Sequence, residues 1–420
     1  MSGLISVIIG LAVIAAVAWG LRFIGRATTG NSPRFRDMTF AVAFGYVVAA
    51  IAVAAVIYAF AQSYSSDPIV ANTYFFVWIL IVAFIFFAVV AFVFRLAGRL
   101  IGTSGSRKLF RQMPLTASFG IITIIVYAFV AIFAAWLAPY AQDSYVGGVN
   151  IAPGGNIDTG GDPAFLLGTD KRGGDILSRV IYGAQNTVGI AFITTLLAFF
   201  LGGTLGFLAA IAGGWVDQAL SRAIDVLMAI PSLIFALLLM TIALLWAEGD
   251  PTFITMSMIF IIAVIDSTRV FRLARAVGSG IVVMDYIEAA RLRGEGFGYV
   301  MFREILPNAT APLLAEFGLR FCFVFLTIAS LSFLGVGIQA PLADWGSMVR
   351  DGANYIQNLQ IVGQDWVREA DEETLAMLNI DKLVRQASLP LIPAAAIALL
   401  TVAVNFVVDW MLHRSSGLKS

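Results

Sequence analysis

One cysteine and one histidine are all that this 420-residue chain has of two side chains that commonly ligate transition metals. Cys322 lies inside an apolar run with no partner for an internal disulfide, which leaves the redox compartment open. With His413 near the C-terminus, the pair cannot supply the several convergent ligands that a His/Cys metal site needs. Charge is scarce too, at 12% of residues, about half the share usual in a soluble domain. The 26 basic and 26 acidic side chains cancel, so the balance points to no acidic partner and no nucleic acid. Lysine never directly follows glycine, which excludes the G-x-x-x-x-G-K-[ST] phosphate loop. Neither H-E-x-x-H nor G-x-S-x-G occurs, which counts against common metalloprotease and hydrolase sites.

What the chain does have is apolar length. Hydrophobic residues make up 60% of it, and the mean hydropathy is +0.90. A hydrocarbon layer about 30 Å thick takes roughly 20 mostly apolar residues as helix. Nine stretches meet or approach that length: Leu4–Leu21, Phe40–Ala61, Tyr74–Phe94, Leu115–Leu137, Val188–Ala212, Ile224–Leu245, Phe253–Ile265, Ala311–Val336 and Pro390–Leu412. The seventh is short. The first is expected to be an uncleaved helix rather than a signal peptide, because Met1–Gly3 is uncharged and the first bases, Arg22 and Arg26, follow the apolar core. The expected fold is therefore all-α and polytopic.

Loop charges orient the spans, since lysine and arginine concentrate in cytoplasmic loops. Basic loops hold Arg22, Arg26, Arg34 and Arg36, then Arg95, Arg99, Arg107, Lys108 and Arg111, then Arg269, Arg272, Arg275, Arg291, Arg293 and Arg303. Between them, Gln62–Thr73 has Asp67 and no base, and Ala247–Thr252 has only Glu248 and Asp250. The alternation predicts an outer N-terminus and an inner C-terminus. Two longer outer segments interrupt the apolar pattern. Pro139–Thr187 is rich in glycine, aspartate and asparagine, and Gly337–Ser388 carries Glu369, Asp371, Glu372 and Glu373.

One inner segment, Tyr286–Pro312, is too polar to span and too regular to be a loose linker. Ile287, Ala290 and Leu292 precede Gly294, and Phe297, Val300, Met301 and Ile305 follow at helical spacing. Gly294, Gly296 and Gly298 permit a break between two short helices, and Pro307 is expected to end the second. By these residues alone an interfacial amphipathic helix fits as well as a docking element.

Glu288-Ala289-Ala290, Gly294 and Leu306-Pro307-Asn308 resemble the EAA loop of bacterial ABC importer permeases. Leu115–Leu412 resembles the peptide/nickel (dipeptide and oligopeptide) branch of that family. Further matches fall in order: Leu167-Gly168-Thr169-Asp170, Asp175, Ser178-Arg179 and Tyr182-Gly183, then Arg222, Asp225 and Pro231, then Ser332-Phe333-Leu334-Gly335 and Trp345-Gly346. Gly174 stands where the family commonly has arginine, and its C-terminal pattern survives only as Asn405 and Asp409. Residues 1–110 lie outside the resemblance.

The resemblance implies an N-terminal extension of about three spans, 1–110, before a six-helix permease core, 111–420, with a coupling loop at 286–307. In that loop Glu288, Ala289, Ala290, Arg291, Gly294, Leu306 and Pro307 would meet an ATPase subunit. The partners implied are a homologous second permease, two ATPase subunits that use ATP and Mg, and an external or periplasmic binding protein. The chain itself would hold no cofactor and perform no catalysis, and it would sit in the bacterial inner membrane.

Within the spans, Glu316 and Arg320 stand four apart with the acid on the N-terminal side, the better order for a helical pair. They form either a polar patch on a translocation path or a self-neutralised pair near the inner end. Asp225 and Asp409 read as structural groups at helix ends, Cys322 as packing and His413 as a solvated tail residue. Gly202, Gly203, Gly206, Ala209, Ala210 and Gly213 make a small-residue face, which suits packing within the chain or against another permease. An ion-gradient secondary transporter is the alternative; the expected spans carry almost no acid at mid-depth and only Pro231 as a break.

Overall fold

The computed structural model describes residues 112–153, 157, 161–362, 382, 386–387 and 389–415, with isolated positions between 90 and 110. By internal contacts the chain divides into Met1–Phe75 and Phe76–Ser420, and the described residues all belong to the second unit. The expected crossings Leu4–Leu21 and Phe40–Ala61, nearly all of Tyr74–Phe94, and the acidic residues Glu369–Glu373 lie outside the described residues.

The described residues are helical, apart from loops and two isolated bridges, Ala152 with Gly161 and Thr169 with Asp175. Among the described residues, the helices of eight residues or more are α1 (Leu115–Ile132), α2 (Ile176–Gly183), α3 (Gly189–Ala212), α4 (Gly214–Met228), α5 (Ser232–Trp246), α6 (Pro251–Val282), α7 (Asp285–Leu292), α8 (Leu306–Phe333), α9 (Trp345–Val362) and α10 (Leu391–Ser415). A π-helical turn, Ala184–Val188, fuses α2 to α3, and another, Val300–Ile305, leads into α8. Five continuous helical stretches are long and apolar enough to cross a bilayer: Leu115–Ile132, Ile176–Ala212, Pro251–Val282, Phe297–Phe333 and Leu391–His413. In such a medium every backbone polar group must be paired within the helix, which is why these apolar runs take helical form.

A sixth crossing follows from packing. A Cβ at Gly202 would run into the Ser267 carbonyl oxygen, one at Gly206 would lie 2.6 Å from the Phe271 oxygen, and one at Gly278 would lie 3.0 Å from Ala210 Cβ. Residue number rises together along both helices, so α3 and α6 run parallel. The chain must return between them, and α4 with α5 is that return. The expected span Ile224–Leu245 is corrected here, because α4 and α5 meet at an 85° bend. Pro231 causes it: proline disfavours helical backbone in the residue before it and lacks the N–H to continue the ladder. The polar half, with Asp217, Arg222 and Asp225, is thereby separated from the charge-free half, Ser232–Trp246.

Two further expectations change. The span Phe253–Ile265 belongs to a 32-residue helix, α6, about 48 Å long at 1.5 Å per residue. No glycine or proline interrupts it between Pro251 and Gly278, so it runs on through Asp266 and Arg269. Pro307 does not end a helix: Phe297–Phe333 is continuous through it. Proline crowds the carbonyl four residues back, and the wider π-turn Val300–Ile305 just before Pro307 accommodates that crowding.

The small-residue face is used within the chain. Gly202 and Gly206 let the α3 and α6 backbones meet, whereas a Cβ at Gly203 or Gly213 would touch nothing within 4 Å. On the other side α10 lies antiparallel to α1 and α8. Tyr127 donates to the Ala396 carbonyl (2.9 Å), and Gly318 faces Val404 and Val408. Phe325, Ile328, Leu331, Met258, Ile262 and Leu400 fill the main core between these helices.

Candidate functional site

At the basic end, α7 is a short helix with acids in its first turn (Asp285, Glu288) and Arg291 in its last, both favourable to the helix dipole. Its end is closed by backbone alone. Gly294 N–H donates to the Arg291 carbonyl (2.9 Å) and Glu295 N–H to the Ala290 carbonyl (3.2 Å), the paired bonds of a Schellman cap. Gly294 carries the left-handed conformation that this cap requires, φ +81°, with open space around its α-carbon.

The predicted loop residues separate into three groups. Ala290 is buried, and its neighbour Ile287 packs with Phe207 of α3, Ala274 of α6, Val300, Met301 and Ile305 of the π-turn and Ala309 of α8. Glu288, Ala289, Arg291 and Gly294 are exposed together on the opposite side. Leu306 and Pro307 are exposed at the start of α8, where Leu306 lines an apolar groove with Phe200, Phe207, Phe302 and Phe317. Among the described residues, no side-chain hydrogen bond or ion pair is made by Glu288 or Arg291, so neither holds the turn. The exposed side of the segment is also unusually apolar: Leu292 is 83% exposed and Val283 78%, beside exposed Tyr286 and Phe297.

Deeper in the helices, Arg320 Nε lies 2.6 Å from Glu316 Oε1, as the spacing predicted, and Arg320 Nη1 lies 3.8 Å from Asp266 Oδ1 on α6. Sequence reasoning missed Asp266 because the apolar run breaks at Ser267 and Arg269. The absence of any helix breaker before Gly278 was the signal that could have found it. The Arg320 side chain is 11% exposed and that of Asp266 9%. Arg269 and Arg320 both face the Phe323 ring, at 5.8 and 4.7 Å.

The opposite, loop-rich end knits the two long polar segments together. Asp175 caps α2 through Ser178 N (2.8 Å) and Oγ (2.6 Å), and Asp170 accepts from the Arg172 and Gly174 N–H groups beside Arg179 (3.3 Å). Lys171 pairs with Asp351 (2.9 Å), and Tyr355 donates to Asn150 Oδ1 (2.8 Å). Fully buried Asp344 caps α9 through Ser347 N (2.7 Å) and accepts from Thr187 Oγ1 (3.0 Å). Burial pushes the Asp344 carboxyl above the usual carboxylate range, against the pull of donors from Ser347, Thr187 and Ser332. Trp345 then donates to the Val180 carbonyl (2.9 Å), with Gly183 leaving room for its ring.

Residues 202–416 match the family described as "Binding-protein-dependent transport system inner membrane component". The chain is similar to the di/tripeptide transport system permease protein DppC of Pseudomonas aeruginosa, 33% identical over 238 residues, which are 57% of this chain and 76% of the relative. It is 35% identical over 245 residues to the dipeptide transport system permease protein DppC of Escherichia coli K12, covering 58% and 78% of the two chains. The glutathione transport system permease protein GsiD of Pectobacterium atrosepticum is 30% identical over 245 residues, with 58% and 76% covered. Together with the membrane-length helices, these matches assign the chain to the bacterial binding-protein-dependent transport system inner membrane components, as an ABC importer permease of the peptide/nickel branch.

Proposed function

We propose that this chain forms half of a solute pathway and that Tyr286–Pro307 couples it to an ATPase subunit. One observation carries the reading. The α7 helix is anchored through Ile287 to α3, α6, the π-turn and α8, and turns Glu288, Arg291 and Leu292 outward, where Glu288 and Arg291 make no side-chain bond among the described residues. An exposed leucine on the same side as Glu288 and Arg291 fits an interface better than a solvated face. A push on α7 passes directly to α3, α6 and α8, which is what alternating access driven by ATP requires.

The assembly comprises this chain, a homologous second permease, two ATPase subunits that bind ATP and Mg, and an external or periplasmic binding protein. The basic end faces the cytoplasm, which gives an outer N-terminus and an inner C-terminus. The loop-rich end, where Pro139–Thr187 and Trp345–Val362 are bonded together, receives the binding protein. The solutes are peptides or related small molecules, a reading supported by the names of the relatives. The ion-gradient alternative gains one acid from α6, Asp266, but Arg320 lies against it and family membership favours the importer.

Gly294→Asp tests the coupling role. The variant should insert and still accept loaded binding protein, but lose co-purification with the ATPase or its stimulation in proteoliposomes. Normal ATPase binding and wild-type transport by the inserted variant would sink the assignment.

A further inference from the structure

Resting on the permease reading, we propose that Arg320, with Arg269 at its edge, is a carboxylate-recognition subsite on the solute path, guarded by Glu316 and Asp266. Depth comes first. At 1.5 Å per residue Asp266 lies about 22 Å along α6 from Pro251, and Arg320 about 20 Å along α8 from Phe333. Both fall within a hydrocarbon layer about 30 Å thick. Ionisable groups at that depth face a bundle interior or a water-filled cavity rather than lipid. The cluster is not sealed inside this chain, because Arg269 is exposed and Phe323, which both arginines face, is 48% exposed.

Hydrogen bonding comes second. Arg320 Nε and Nη1 are buried and neither has an aligned hydrogen-bond partner, although carboxylate oxygens stand 2.6 and 3.8 Å away. The guanidinium is thus neutralised by proximity while Nε and Nη1, one donor on each of its two binding edges, lack an aligned acceptor. Each edge of a guanidinium, Nε with Nη2 or Nη1 with Nη2, matches a carboxylate with two parallel bonds. An incoming solute carboxylate that displaces Glu316 would supply the missing alignment at no change in local charge. Phe323 gives the arginines an aromatic surface that holds them when the acid is displaced.

Charged thiol reagents test this without any need to know the solute. In a Cys322→Ser background, Phe323→Cys puts a thiol where both arginines point. The assembled complex is treated with anionic sulfonatoethyl and cationic trimethylammonioethyl methanethiosulfonates, and the ratio of the two labelling rates is read. Arg320→Gln should lower the anionic-to-cationic ratio several-fold, and Glu316→Gln, which removes the competing carboxylate, should raise it. Only that pair of opposite shifts supports the subsite. Absence of labelling, or any other pattern, overturns it and leaves a structural ion pair. If Arg320→Gln does not assemble, Arg269→Gln replaces it with the same expected fall. Co-purification of the ATPase subunits is scored separately, so failure of the permease reading is distinguishable from failure of the subsite.

Discussion

Gly202 and Gly203 are neighbours in the sequence with opposite surroundings. A methyl at Gly202 would strike the Ser267 carbonyl oxygen and lie 2.8 Å from Val270 Cβ, while one at Gly203 would meet nothing within 4 Å. Gly202→Val should therefore destabilise by about 1–3 kcal/mol, the usual cost of overpacking, and Gly203→Ala should stay within about 0.5 kcal/mol of wild type. Thermal unfolding of the detergent-solubilised protein compares the two; equal losses would refute the α3–α6 packing. A composition count marks both glycines alike, because which one meets a neighbour depends on the helix found opposite. Gly294 differs in this respect. Its need is local, a left-handed φ at a helix end, and the spacing of the residues around it already pointed there. The Glu316–Arg320 pair was legible for the same reason, being set by one helix, whereas Asp266 reaches it from another.

At the scale of elements, apolar length located the helices but not their ends. Phe253–Ile265 looked short because polarity begins at Asp266, yet nothing there breaks a helix, and α6 continues to Val282. Pro231 and Pro307 show the converse. Each is a breaker by sequence, but one produces an 85° bend and the other sits in a continuous helix, since a π-turn precedes only the second. The Asp344 cap offers a titration at this scale. Its folded carboxyl holds a proton more tightly than the unfolded one, so its contribution to stability is present at low pH and lost as pH rises through the raised value. Asp344→Asn should flatten the fall in thermal midpoint from acidic to neutral pH and be at least as stable as wild type at neutral pH. A variant with the wild-type pH slope would show that Asp344 does not titrate in the folded state.

Across the whole molecule, the alternation of basic and acidic loops gave an orientation that two exposed positions can check. In a Cys322→Ser background, Tyr145→Cys should react with an impermeant maleimide from outside the cell, and Leu292→Cys only after the inner face is opened. Reversal at either site would overturn the topology. Both residues are well exposed, so silence from burial is not expected. The sequence also showed where the family's motif residues lie, and the Asp175–Ser178 cap is local to them, but not that Trp345 bonds to Val180 and packs on Gly183, because those partners stand far along the chain.

The backbone contact between α3 and α6, made through Gly202, Gly206 and Gly278, has a mechanical side. Two rods clamped along several turns act as a laminated girder, which tilts as a unit because bending either rod would shear the seam. Force applied at one end has no compliant joint between Pro251 and Gly278 in which to dissipate. Torque delivered by nucleotide-driven closure at the cytoplasmic face would then emerge as an opposite swing of the α6 terminus beside the far loops. Under the proposed coupling, the closeness of the seam at these three glycines would decide whether such a torque tilts the two helices together or bends them apart.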